Sequence, residues 1–205
     1  MPDAGVPTEA QPQTEITVGK RFTPEHKAAL EKAGFEVYEL KGRTYEEIIQ
    51  AYPTISFSRD FERYGKGTGG DELMDFLDAM KSRKTEVAIP RGARFLVPDS
   101  NLSQERQREI IDAMSDEIAR NIPGTKRIMG NALDYVELGA EYAERTHGGS
   151  LFGNWANRQQ ATTESGLYVG SMPATKSEPA QVHISHMRGG LNNEGPLAAP
   201  LVVPA

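Results

Sequence analysis

Near residue 150 the texture of this chain changes, and that change limits its fold class more than any other feature. Before it, apolar residues recur at helical spacing between recognisable caps. After it, glycines, amides and short alternating runs take over. The clearest helix is predicted from about Ser103 to Asn121. Ile110, Met114, Ile118 and Ile122 recur every four residues, Ile111 widens the stripe, and Pro123-Gly124 ends it. Lys126–Met129 reads as a short strand. Asn131 caps a further helix with Asp134 in its first turn and Leu133, Val136 and Ala140 on one face, and Gly148-Gly149 closes it. Beyond residue 150, Gly166–Val169, Gln181–Ile184 and Leu201–Val203 read as strands. The expected fold class is α+β: an N-terminal helix–strand–helix unit, central amphipathic helices and a β-rich C-terminal part.

Residues 1–20, with Pro2, Pro7 and Pro12 among small and polar residues, read as a Pro-rich arm that is flexible on its own. A small helix–strand–helix region is expected over 21–84 and an α+β domain over 85–205. Thr23, Pro24 and Gly34 mark the start and end of the first helix. Phe35–Leu40 alternates as a half-buried strand does, and Thr44 with Glu47 forms a capping box ahead of a helix that Pro53 stops. Residues 54–64 fit strand or irregular structure equally. A helix from Asp71 to about Ser82 places Leu73, Phe76, Leu77 and Met80 together, and two short strands follow near Glu86–Ile89 and Arg94–Val97.

The net charge of −6 argues against a nucleic-acid backbone as partner. Lys81, Arg83 and Lys84 read as cations at a helix C-terminus, complementing its dipole. The chain has no cysteine, which removes thiol chemistry, disulfide scaffolds and cysteine-based metal sites. No apolar run is long enough to cross a bilayer, and Met1-Pro2-Asp3-Ala4 is not a signal segment. The expectation is a soluble protein of the cytoplasm, or of a particle such as a virion assembled there, with no membrane partner and no cofactor.

Chemistry-bearing motifs are sparse. Gly65-Lys66-Gly67-Thr68-Gly69-Gly70 matches the glycine spacing of a dinucleotide fingerprint but follows a charged segment instead of a buried strand. What remains is a weak anion or nucleotide site at Gly67, Thr68 and Gly70. Asp71, Asp75 and Asp78 share a helix face that reads as solvated surface. His183 and His186, three apart on an expected strand, point to opposite faces and cannot share a metal. A composite hydrolase-type site using His147, His183 or His186 with a distant Asp or Glu is the alternative that spacing leaves open.

Two stretches suit recognition. Asn154–Gln160 sets the only tryptophan among amides and one arginine, so Trp155, Asn157 and Arg158 combine a rigid aromatic with hydrogen-bonding groups. In 181–194, Val182 and Ile184 suit the core, leaving His183, Ser185, Arg188, Asn192 and Asn193 for an outer polar surface. These eight residues are the expected partner-binding set.

Gly130–Leu138, Leu151-Phe152-Gly153, Val169-Gly170-Ser171 and the closing Ala199–Ala205 resemble, over roughly residues 95–205, a family of uncharacterised bacterial proteins, many from candidate phyla. The constant ending behind a polar stretch also resembles the target proteins of diversity-generating retroelements. That likeness implies a C-type-lectin-like C-terminal part with a variable ligand-binding surface, although Ala198-Ala199-Pro200 departs from the usual lectin-like ending. Together these readings lead to a non-catalytic binding or assembly protein, with a protein partner or a second copy of itself.

Overall fold

Local caps set the helix starts. The computed structural model describes residues 20–59, 70–91, 95–97, 102–152, 160–185 and 197–205. Thr23 accepts from the His26 N–H and opens α1 (Pro24–Lys32), which Gly34 leaves at φ 82°. After β1 (Phe35–Lys41), Thr44 and Glu47 exchange hydrogen bonds and start α2 (Tyr45–Ala51). Then come β2 (Ser56–Arg59), α3 (Gly70–Ala79), β3 (Lys84–Pro90), α4 (Gln104–Asn121) and β4 (Thr125–Ile128). The Asn131–Asp134 capping box opens α5 (Ala132–Arg145), followed by β5 (Ala161–Thr162), β6 (Tyr168–Met172), β7 (Gln181–Ser185) and β8 (Leu201–Pro204). The class is mixed α+β, with the C-terminal part rich in strands.

The strands form two four-stranded sheets. The first runs β1-β3-β8-β4, antiparallel throughout, and the second runs β2-β7-β6-β5, with β2 parallel to β7. Strands from both ends of the chain therefore share each sheet, and residue 84, the boundary expected from the sequence, opens β3 between β1 and β8. The period-2 pattern sorts the faces of the first sheet. Phe35, Val37, Ala88 and Val202 meet Leu30 of α1 and Ile118 and Ile122 at the end of α4. Tyr38, Leu40, Val87, Ile89, Leu201 and Val203 turn the other way, into the main core around α5.

Helix α5 contacts β1, β6 and β7, so it lies between the two sheets. One apolar face is expected from its sequence, but Ala132 through Ala140 are all buried. A helix covered on both sides must be apolar all round or neutralise what is not. Its exceptions, Asp134 and Glu137, are treated below. Gly139 permits the close approach: a Cβ there would sit 3.3 Å from Phe152 and 3.5 Å from Val182.

Four expectations need correction. Phe76 is 46% exposed, although periodicity groups it with the core residues of α3, because only the Leu77 line of that helix is fully covered. Helix α3 ends at Ala79, so Lys81, Arg83 and Lys84 do not serve its last turn, and Arg83 has a buried task instead. Residues 95–97 form no strand; Val97 N donates to the Ala198 carbonyl at 2.8 Å while Phe95 fills the core. In α4 the buried line runs through Gln107, Ile111 and Ile118 instead of Ile110 and Met114.

Candidate functional site: converging loop anchors on the second sheet

Cross-strand register assigns the faces of the second sheet. Val182 and Ile184 of β7 pair with Ser171 and Val169 of β6 and face α5, while His183 pairs with Gly170 on the opposite face. The sequence expects His183 to lie open on that outer face, but its relative exposure is only 4%. Gly170 makes room for the ring: a Cβ there would lie 2.4 Å from His183 Cε1 and 2.6 Å from Nε2. Gln160 then closes over it, its side-chain amide nitrogen 2.9 Å from His183 Nε2. Because an amide nitrogen only donates, the histidine nitrogen must accept, and the ring is neutral. Burial pushes its pKa down to about 4 from an ordinary 6.5.

Gln160 also accepts from Ser185 Oγ at 3.3 Å through its side-chain oxygen. Its backbone carbonyl accepts from Leu197 N at 2.8 Å, Thr162 N donates to the Leu197 carbonyl at 3.0 Å, and Ala161 bridges Leu197 in parallel. Gln160 thus ties together the chain just after residues 153–159, just before 186–196 and just after 186–196. The fourth end is Phe152, 1% exposed, whose ring centroid lies 5.7 Å from that of Phe95 and 6.3 Å from that of Tyr135. The described residues that flank the two recognition stretches are therefore buried (Phe152, Gln160) or half-buried (Ser185, Leu197) and bonded or packed to neighbouring elements.

Of the expected partner-binding residues, His183 and Ser185 are described. His183 is buried beneath Gln160, not open on the outer face as expected; Ser185 is half-buried beside it. Trp155, Asn157, Arg158, Arg188, Asn192 and Asn193 lie outside the described residues, as do His186 and the anion-site candidates Gly67 and Thr68. Gly70 is the first residue of α3. His147, from the alternative composite site, is exposed just past α5 at φ 53°, whereas His183 is engaged with Gln160.

Reasoning from the sequence missed a second polar cluster, at the N-terminal half of α5. Asp134 accepts from the Arg83 N–H at 2.6 Å and the Asn131 N–H at 2.8 Å, and pairs with the Arg83 guanidinium, which also reaches Glu164 at 2.7 Å. One turn on, Glu137 accepts from Ser82 Oγ at 2.6 Å, Lys41 N at 3.1 Å and Arg43 Nη1 at 3.1 Å. Both carboxylates have 0% exposure, and burial drives both pKa values upward against these donors. A serine bonded to a carboxylate could serve nucleophilic chemistry. Here Ser82 Oγ also accepts from Arg43 N at 2.9 Å, and Ser82 is 4% exposed. The cluster clamps residues 81–83 and the β1–α2 turn onto α5. Its signal in the sequence is a carboxylate pair three apart inside an otherwise apolar helix.

Among the described residues no group of three or more His, Asp or Glu is placed to hold a metal ion, and no helix is long and apolar enough to cross a membrane. A shallow groove of ≈ 450 Å³ lined by Lys41, Arg43, Glu47 and Gln50 is open to solvent, and its cations already face Glu39 and Glu137.

Two predictions arise here. Gly170→Ala should cost about 1–3 kcal/mol by overpacking against His183; chemical denaturation measures it, and a change within error would disprove the fit. Lowered from 6.5 to about 4 on folding, the His183 pKa makes the unfolded chain bind more protons between those values. Stability from this group is complete above pH 6.5 and falls by about 3 kcal/mol as pH drops to 4. Subtracting the pH–stability curve of His183→Gln from that of the parent should isolate this slope; parallel curves would refute it.

No family model, curated protein or solved structure matches the chain.

Proposed function

We propose that this chain is a non-catalytic binding or assembly protein whose contact surface is built on residues 153–159 and 186–196. Trp155 is its aromatic anchor, and Asn157, Arg158, Arg188, Asn192 and Asn193 supply hydrogen bonds and charge. The partner is a protein or a second copy of the chain. One observation carries this reading: three of the four ends of these two segments meet at Gln160, and the fourth is fixed in the core by Phe152. Such convergence brings the described ends of two amide-rich segments to one point on the second sheet. A variable C-terminal surface, which the resemblance to retroelement target proteins implies, would fall on the same segments.

The N-terminal arm joins this reading as a second tether. Its last residue, Lys20, is fastened to the first sheet, its carbonyl accepting from Thr85 Oγ1 at 2.9 Å and its Nζ donating to the Ala205 carbonyl at 2.7 Å; just beyond the arm, Phe22 N donates to Glu86 at 2.8 Å. Residues 1–19, outside the described residues, therefore start from a fixed point beside the end of β8. Size-exclusion chromatography with light scattering, joined to affinity capture, tests the proposal. A defined oligomer or complex that Trp155→Ala with Arg158→Ala dissolves is the expected result. A strictly monomeric protein that captures nothing would overturn it.

A further inference from the structure

Gln160 keeps its place over the second sheet partly through a titratable neighbour. His183 lies on the outer face of β7, with Ser58 of β2 and Gly170 of β6 beside it across the ladders. The Gln160 side chain covers the ring, its Cγ 3.1 Å from where a Gly170 Cβ would stand. Ser185 Oγ donates to the Gln160 side-chain oxygen at 3.3 Å, and the Gln160 amide nitrogen lies 2.9 Å from His183 Nε2. This relay runs in one direction, because it ends on the lone pair of a neutral imidazole. Tyr168 of β6 is the titratable side chain that shares this face among the described residues, paired with Ser185. Arg59 of β2 turns with Phe57 to the opposite face, where it meets Asp78 and Tyr45. Lys176 and Glu178 lie in the β6–β7 connection, beyond Gln181.

We propose that His183 and Gln160 form an acid-operated latch: a proton on the ring expels the Gln160 side chain and breaks its tie to Ser185. A protonated Nε2 and the amide nitrogen are both donors, so their contact cannot persist. Turning the amide over would supply an acceptor. It would also force Ser185 Oγ to accept instead of donate, and would leave an imidazolium at 4% exposure. Hydrating that charge requires the covering side chain to leave. Burial holds the ring at about 4 against an ordinary 6.5, so the closed form is favoured at neutral pH and loses ground as pH falls. A ring that regains its ordinary value on opening makes the open population at pH 5 about 30-fold that at pH 7.5. The consequence for binding rests on the reading of residues 153–159 and 186–196 as the contact surface. Acid loosens the junction of their ends and so weakens the partner's hold.

Two measurements on the full chain separate the latch from the surface it serves. In nitrogen-15 spectra recorded from pH 7.5 to 4, the Gln160 side-chain amide should leave its bonded position as the His183 ring titrates. Both changes should share one midpoint between 4 and 6.5. Far-UV circular dichroism should stay constant over that range, and in His183→Gln the amide should not move. An amide that holds its position while the ring titrates overturns the latch. So does loss of the fold before either signal changes, or an equal change in His183→Gln. The second measurement carries a photo-crosslinking residue at position 155 into cell extract at pH 7.5 and pH 5. Adducts should form at pH 7.5, fall several-fold at pH 5 and return on neutralisation, while His183→Gln retains them at both. Adducts that persist at pH 5 in the parent overturn the regulation. None at pH 7.5 counts against the contact surface, while the spectra still decide the latch.

Discussion

Arg83→Met should destabilise the fold by about 3–5 kcal/mol, the cost typical of leaving one member of a buried pair alone. Asp134 has no route to water at 0% exposure, and the Arg83 side chain is itself only 10% exposed. Removing the guanidinium leaves the Asp134 carboxylate with two backbone N–H donors, from Arg83 and Asn131, and no counter-charge. It also frees Glu164, which shares the same arginine. Adding Asp134→Asn to Arg83→Met should recover part of the loss, because the uncompensated charge is gone while the shape remains. A double-mutant cycle by urea denaturation gives the coupling directly. A loss under about 1 kcal/mol for Arg83→Met would mean the pair is solvated, as ordinary surface pairs are.

Phe152→Ala should cost a similar amount, about 3–5 kcal/mol, from lost burial plus the cavity left behind. The ring is packed with Phe95 and Tyr135, and Tyr135 cannot easily shift to fill the gap. Its hydroxyl is fixed, accepting from Gly130 N at 2.8 Å and donating to the Ala199 carbonyl at 2.6 Å. Thermal denaturation should show the loss. Below the melting transition the variant should also bind its partner more weakly, because Phe152 holds the start of residues 153–159. Unchanged binding in a folded Phe152→Ala protein would separate that segment from its proposed role.

Local physics made much of the fold legible. Capping boxes at Thr44–Glu47 and Asn131–Asp134 act within four residues, so they can be read wherever they occur. Alternation in Phe35–Leu40 and in Gln181–Ile184 likewise marks β1 and β7. What failed was everything set by distant partners. Alternation assigns His183 to the outer face correctly, yet its burial comes from Gln160 and from the missing side chain at Gly170. Nothing near Ser56 announces a parallel pairing with Gln181. Periodicity cannot tell that α5 is covered from two sides while α3 is covered along one line, so it gives no sign of a buried Glu137 and groups the exposed Phe76 with core residues. Of the candidate site, the amide-rich segments could be read from composition; their shared anchorage could not, because it depends on Leu197 lying beside Gln160.

The most direct test places a photo-crosslinking residue at position 155, at position 192, or at position 112 on α4, and irradiates the protein in its native cell. Adducts to a second copy or to one defined protein should form from 155 and 192 and not from 112. Equal labelling from all three positions, or none from 155 and 192, would contradict the assignment of the contact surface to the segments that Gln160 and Phe152 hold.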